Sequence, residues 1–237
     1  MQATVGYLEI TLQKDELTGS RVLESSPVHE AEEADEYGAM IRRHAWLLNQ
    51  PMVTMLSKTG LTRGRVLDIG TGPGWIPVEL ALRHPQWEIW AVDPSEDMLT
   101  HAEEAARRAG VSSRMHFIKG EAGALPFERG MFDLVYSHFV LHHLPRPEAM
   151  FDEAAKVVRG GGRIVIKDLL RQPAWKAAVL LAFSKLVLRY TPAQMKMYQE
   201  SLSAGLTFEE LRAALENSKL SMARVQGFRG LDFVVSA

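Results

Sequence analysis

Ten residues, Arg65 to Gly74, read Arg-Val-Leu-Asp-Ile-Gly-Thr-Gly-Pro-Gly, and they restrict the fold more than any other stretch of the chain. Val66, Leu67 and Ile69 form the short apolar run of a strand buried on both faces. The run ends in Gly70, Gly72 and Gly74, and a helical pattern follows. Alternate glycines let the backbone turn sharply and leave no Cβ between the main chain and a ligand. The next helix then aims its N-terminal N–H groups at whatever lies there. Asp68 sets a carboxylate at the strand's carboxyl end, where open α/β sheets bind ligands. A bare strand-to-helix turn needs neither three alternate glycines nor an acid, so a ligand-binding turn is expected.

From Arg65 onward the pattern is regular. Strands are expected at 65–69, 88–92, 115–119, 132–136 and 163–167, with helices between them. Strands alternating with helices imply a parallel sheet with right-handed crossovers. The helix after Pro94 has Ser95 as a cap, Glu96 and Asp97 at its positive end, Arg107 and Arg108 at the other, and Gly110 as its stop. Met98, Ala102, Ala105 and Ala109 are its expected buried stripe. Another helix is expected from the N1-type Pro147 to Gly160. Thr207 and Glu210 form a capping box, with Leu206 and Leu211 as its staple. Met222 to Phe228 and Asp232 to Ser236 are separated by only Arg229-Gly230-Leu231, which suits antiparallel strands. The fold class expected is α/β: a Rossmann-like, doubly wound, mostly parallel sheet of seven strands that ends in an antiparallel pair.

The whole chain, 1–237, reads as one domain. Residues 1–60 form an N-terminal extension with cap helices, 61–168 a core, 169–205 a helical insertion after strand five, and 206–237 the last helix and strand pair. Within the extension, Tyr7 to Leu12 and Arg21 to Glu24 suggest a small hairpin. Residues 30–36 suggest a solvated first helical turn, and Tyr37 to Leu48 and Met52 to Leu56 suggest helices. No linker or repeat marks a second domain.

Composition narrows the function. The net charge is −2 over 237 residues, so no basic field argues for nucleic acid. The chain has no cysteine, which removes thiolate nucleophiles and Cys-ligated zinc or iron–sulfur sites, and no metal is expected. No signal peptide is evident, the longest apolar stretch (177–188) is too short to span a bilayer, and a cytoplasmic protein is expected. The dinucleotide fingerprint requires a third glycine where Trp75 stands. No Gly-Lys-Ser/Thr follows either, so the ligand lacks a pyrophosphate.

At this point the residues resemble a family. Val66 to Gly74 is similar to the glycine motif of class I S-adenosylmethionine-dependent methyltransferases. Ala91-Val92-Asp93-Pro94-Ser95-Glu96-Asp97-Met98-Leu99 resembles their acidic second-strand motif. Gly120-Glu121-Ala122 with Leu125-Pro126-Phe127, then Phe132 to Ser137, resembles the adenine loop and fourth strand. Arg159 to Arg163 resembles the turn before strand five. The match covers about residues 62–168 and points to the small-molecule branch that includes quinone-biosynthesis enzymes. The resemblance implies methyl transfer from S-adenosylmethionine, leaving S-adenosylhomocysteine, to a small apolar or aromatic acceptor.

The implied cofactor residues are Asp68, Gly70, Thr71, Gly72, Gly74, Asp93, Pro94, Met98, Glu121, Ala122 and Ser137. Asp93 offers a carboxylate to two ribose hydroxyls, Pro94 an apolar face to the adenine, Glu121 and Ala122 contacts to its edge, and Gly70 and Ser137 contacts to the methionine end. His138 and His142, with His143 beside them, follow strand four on the substrate side and are the candidate catalytic groups. Tyr37, Tyr190 and Tyr198 are candidate acceptor contacts beneath a cover formed by 169–205. A non-catalytic cofactor-binding protein and transfer of another group are the alternatives. A monomer or homodimer is expected.

Overall fold

The computed structural model describes residues 21–24 and 48–237. The extension's Tyr7–Leu12, residues 30–36 and Tyr37 lie outside the described residues. Seven strands form one sheet: β1 Gly64–Ile69, β2 Trp87–Asp93, β3 Met115–Lys119, β4 Phe132–His138, β5 Val158–Leu169, β6 Arg224–Phe228 and β7 Asp232–Ser236. Their order is β3-β2-β1-β4-β5-β7-β6. The first five are parallel; β7 pairs antiparallel with both β5 and β6. The order reverses between β1 and β4, and at such a switch point diverging loops open a crevice at the strands' carboxyl ends.

Helices α1 Gln50–Ser57, α2 Trp75–Arg83, α3 Glu96–Arg108, α4 Pro147–Val157, α5 Ala174–Phe183, α6 Pro192–Ala204 and α7 Phe208–Glu216 complete the fold among the described residues. Successive side chains of a strand point to opposite faces, and the core splits accordingly. Leu67, Ile69, Val135, Ile164 and Ile166 pack with Met150, Phe151 and Ala154 of α4 and Leu211 of α7. Val66, Leu134, Tyr136 and Val165 pack on the other face with Met52 and Leu56 of α1, Leu80 of α2 and Ala106 of α3.

The local signals act as expected at several ends. Ser95 Oγ accepts from the Met98 N–H at 3.3 Å, and the Thr207–Glu210 box closes in both directions at 2.9 and 3.1 Å. Four expectations change. The fully buried stripe of α3 is Met98, Leu99, Ala102 and Ala106, while the expected Ala105 and Ala109 pack against the same core only partly buried. Helix α4 ends at Val157 rather than Gly160, since Val158 already pairs with Phe132 and the three glycines run within β5. Strand β6 begins at Arg224 rather than Met222. Arg21–Glu24 pairs with no strand among the described residues; its Arg21 side chain bonds the carbonyls of Ala204, His142 and Leu144 at 2.8–2.9 Å.

Candidate cofactor and acceptor site

The glycine turn is built by the chain's own packing before any ligand enters. Gly70 and Thr71 donate their N–H groups to the Val92 carbonyl at 2.8 and 2.9 Å, which holds the turn against β2. Gly70, Gly72 and Gly74 all have positive φ, which a side chain would strain. A Cβ on Gly70 would run into the Val140 methyls, and one on Gly74 would stand 2.7 Å from Ala102 Cβ of α3. These two glycines are therefore demanded by loop-to-loop and helix-to-helix approach. The Gly72 N–H points to Asp93 Oδ2 at 2.8 Å.

Asp93 is consequently both a site residue and a brace. Its second oxygen accepts from the Ser95 N–H at 3.0 Å, and the carboxylate is buried at the end of β2. Asp68 is more deeply buried and accepts from the Thr71 hydroxyl at 2.9 Å. Burial raises its carboxyl to about 7, and nearby Asp93 adds to the rise, while hydrogen bonds from Thr71 and Tyr136 oppose it. The Trp75 indole N–H, at the start of α2, is buried without a hydrogen-bond partner among the described residues. Ser137 Oγ donates to the Ile69 carbonyl at 2.8 Å and ties β4 to β1 at the switch point.

One cavity of about 550 Å³ joins these groups to the acceptor side. Asp68, Gly70, Thr71, Gly72, Asp93, Pro94, Met98, Glu121 and Ala122 line one end; His138, His142, His143, Tyr190 and Tyr198 line the other. Gly74 and Ser137 are not on its wall; they support it from behind, Gly74 as the residue that caps α2.

The acceptor end holds a buried ionic cluster that the sequence reading did not anticipate. His142 Nδ1 lies 2.7 Å from Asp168 Oδ1, and its Nε2 lies 3.5 Å from Glu24. Burial pushes the His142 imidazole down, but Asp168 and Glu24 together carry it up to about 9. Asp168 also accepts from the Leu141 and Leu169 N–H groups, each at 2.6 Å. Burial would push its carboxyl up; the imidazolium of His142 overrides this and holds it below the usual carboxylate range. His143 Nδ1 lies 2.8 Å from Glu24 Oε2, and Glu24 accepts from the Ser201 hydroxyl of α6 at 2.7 Å.

His138 stacks on Phe139 at 4.0 Å between ring centroids. Burial, with the cations of Lys167 and His142 nearby, pushes its imidazole well down, so it is neutral. Lys167 pairs with Asp232 at 2.6 Å. Glu24, His142 and His143 bring three ligand-type atoms within 4.8 Å of one another, a nitrogen–oxygen set of the kind metals take, here closed by the ion pairs just described. The one sequence signal for this cluster was Lys167-Asp168 at the end of the apolar run Ile164-Val165-Ile166. Charged groups in a buried strand are costly unless paired; Glu24 carried no signal at all.

Residues 169–205 form the far wall. Helix α5 is followed by a π-turn, Ser184–Leu188, and then by α6. Leu180, Phe183, Leu188, Met197 and Tyr198 face the cavity. Tyr190 and Tyr198 meet edge to face at 5.9 Å. Burial pushes the Tyr198 hydroxyl up to about 12, so it remains a donor.

The donor set suits a ligand with an ammonium group at one end and a vicinal diol at the other. A buried carboxyl held near neutrality by desolvation gains a counter-ion when a cation docks. The unpartnered Trp75 N–H is a further group awaiting an acceptor. An amino acid joined to a nucleoside carries both groups. The methyltransferase-domain family model matches residues 67–166. An uncharacterized methyltransferase of Schizosaccharomyces pombe is 35% identical over 53% of this chain and 47% of its own length. A ubiquinone/menaquinone biosynthesis C-methyltransferase of Roseobacter denitrificans is 26% identical over 71% of this chain and 68% of its own. A malonyl-[acyl-carrier protein] O-methyltransferase of Legionella pneumophila is 32% identical over 48% and 41%. The chain thus spans less than half the length of two of these three relatives. Among solved structures, a putative S-adenosyl-L-methionine-dependent methyltransferase of Methanococcus maripaludis has the same fold, with a TM-score of 0.67 at 18% identity over 90% of this chain and 96% of that one. Residues 67–166 of this chain match the methyltransferase-domain family, and in sequence and fold the chain resembles the class I S-adenosylmethionine-dependent methyltransferases.

Proposed function

We propose that this protein transfers the methyl group of S-adenosylmethionine to a small, apolar or aromatic molecule. The observation that carries this is a cavity with polar groups at the glycine turn and with Leu180, Phe183, Leu188, Met197 and Tyr198 beside the histidines at the other end. Pockets of this composition take apolar ligands and fix them with a few polar groups, and thioether side chains adapt to irregular shapes. When bound, the cofactor supplies an electrophilic methyl on a sulfonium centre. Asp68 would hold the ammonium end, Asp93 the ribose hydroxyls, and Pro94 and Met98 the adenine face, with Glu121 and Ala122 at its edge.

Catalysis by such a chain is mainly alignment of two reactants, worth on the order of 7–11 kcal/mol in favourable cases. For an acceptor that loses a proton, the three histidines divide the work. His142 is already cationic between Asp168 and Glu24, so its role is to position Glu24 and the Leu141–His143 turn. His138 is held neutral and offers a ring nitrogen as a hydrogen-bond acceptor. His143, partly exposed with its Nδ1 2.8 Å from Glu24, is the one placed to take the proton. Tyr198 donates to the acceptor's polar end. Formation of S-adenosylhomocysteine from S-adenosylmethionine over a panel of phenols, hydroxyquinones and amines of similar size is the test. Turnover confined to apolar or aromatic members is expected; turnover with none of them, despite tight cofactor binding, removes the reading.

A further inference from the structure

Helix α5 and the π-turn after it are apolar on both faces. The inner row, Leu180, Ser184 and Leu188, faces the cavity. The outer row, Trp175, Val179, Leu186 and Val187, follows helical spacing and is 59–75% exposed, with Phe183 at its inner edge, 46% exposed and reaching the cavity. Not one residue of α5 is buried. A helix apolar all round is ordinarily enclosed, and a contiguous exposed apolar patch marks a docking surface.

The charges around this patch choose its occupant. Between Asp168 and Glu200 there is no acidic residue, while Arg171, Lys176, Lys185, Arg189 and Lys196 are all basic, in a chain whose net charge is −2. Arg171 is paired with Glu210, and Lys176 donates to the Gly230 carbonyl. Lys185, Arg189 and Lys196 are exposed and form no ion pair among the described residues. A second copy of the chain on a two-fold axis would set this patch against itself. It would gather two sets of Lys185 and Arg189 in one interface with no acidic residue of 169–199 to meet them, which is unfavourable. A nucleic acid would satisfy the cations but leave five large apolar side chains with nothing to cover them. An anionic lipid surface satisfies both at once: acyl chains receive the apolar row, and headgroups receive the cations.

We propose that the outer face of α5 and the Ser184–Leu188 turn docks on an anionic membrane surface. The segment lies on the bilayer and does not cross it: from Ala174 to Leu188 it is about 22 Å long at 1.5 Å per residue, less than the hydrocarbon thickness. No helix among the described residues is long and apolar enough to span. Because the inner row of the same helix walls the cavity, the docked face would stand between the lipid and the acceptor end. That last step rests on the function proposed above; the docking does not.

Sedimentation with vesicles tests it, in the absence of any acceptor. The chain should bind vesicles of phosphatidylcholine mixed with phosphatidylglycerol, bind phosphatidylcholine alone far more weakly, and be released by salt. Lys185→Gln and Arg189→Gln should each weaken binding about fivefold. Trp175→Ser with Leu186→Ser should weaken it at least about tenfold per side chain removed from the lipid, with S-adenosylhomocysteine affinity unchanged as proof of folding. Three results overturn the proposal: no binding to the anionic vesicles at low salt, binding indifferent to the double substitution, or a solution dimer that the double substitution turns into a monomer.

Discussion

The two ends of the cavity are held by different physics. At the cofactor end, polar groups are tied by short contacts within and between neighbouring turns: Gly72 and Ser95 to Asp93, Thr71 to Asp68, Ser137 to Ile69. At the acceptor end, a few buried ions from distant parts of the chain, Glu24, His142 and Asp168, anchor one side, and an apolar helix with no buried residue closes the other. The first end is specified by hydrogen-bond geometry and tolerates little change. The second is specified by ion pairing below and by general apolarity above. A chain built this way keeps one ligand site constant while the other is free to vary.

The largest effect is expected in the ionic anchor. Asp168→Ala leaves the buried His142 without its principal counter-ion and strips the Leu141 and Leu169 N–H groups of their acceptor. Breaking one side of a buried pair costs about 3–5 kcal/mol, and urea denaturation should show a loss of that size. A loss below about 1 kcal/mol, the value of an exposed pair, would mean that the cluster is solvated and that the acceptor end has no rigid base.

Asp93→Ala comes next and separates binding from folding less cleanly than a ribose contact alone would. Hydrogen bonds to a charged group are worth about 1.5–3 kcal/mol, so S-adenosylhomocysteine affinity should fall on the order of tenfold to a hundredfold by calorimetry. Stability should fall too, because Gly72 and Ser95 lose their acceptor. An unchanged affinity with lowered stability would make Asp93 a brace only, and the contrast between the two ends would narrow.

Asp68 gives the comparison a pH signature. Its carboxyl rises from the ordinary 3.8 to about 7 in the fold. The folded chain therefore holds this proton more tightly than the unfolded chain. Between about pH 4 and 7 the unfolded state is the more deprotonated, so raising the pH lowers this group's contribution to stability, with no further change above 7. Binding runs the other way: the ammonium of the ligand prefers the anion. Affinity for S-adenosylhomocysteine should rise by up to about tenfold per unit as pH climbs toward 7, then level, and binding below 7 should release a proton. Asp68→Asn should flatten this profile. A profile that stays sloped in the variant assigns the proton to another group.

Much of the cofactor end was legible in the sequence because its determinants are local. A strand, three glycines and an acid within ten residues dictate one turn, and Ser95 caps its helix from the next position. Even there the reason for two glycines lay elsewhere: Val140 and Ala102 crowd Gly70 and Gly74, which no spacing reveals. The Thr191–Gln194 box that starts α6 has the same signature as the one at Thr207 and was readable, yet it was missed inside an apolar run. The ionic anchor was not readable, since residues 24, 142 and 168 meet only when β4 and β5 pair and residues 21–24 reach the turn after β4. The expected end of α4 at Gly160 failed for a related reason: β5 borrows the glycines for its pairing with β4.

The smallest expected effect probes the apolar wall. Tyr198→Phe keeps the ring, its edge contact with Tyr190 and almost all of its volume, so stability should change by less than about 1 kcal/mol. What it removes is a hydroxyl that burial keeps protonated at the acceptor end of the cavity. A neutral hydrogen bond is worth about 0.5–1.5 kcal/mol, so KM for an acceptor selected from the panel should rise roughly twofold to tenfold. S-adenosylhomocysteine affinity should stay constant, because Tyr198 stands across the cavity from Asp68 and Asp93. If cofactor affinity fell with KM, the two ends would be coupled through the wall, and the division between a hydrogen-bonded half and a packed half would fail. If neither moved, Tyr198 would serve only as apolar surface, and orientation of the acceptor would fall to His138 and His143 alone.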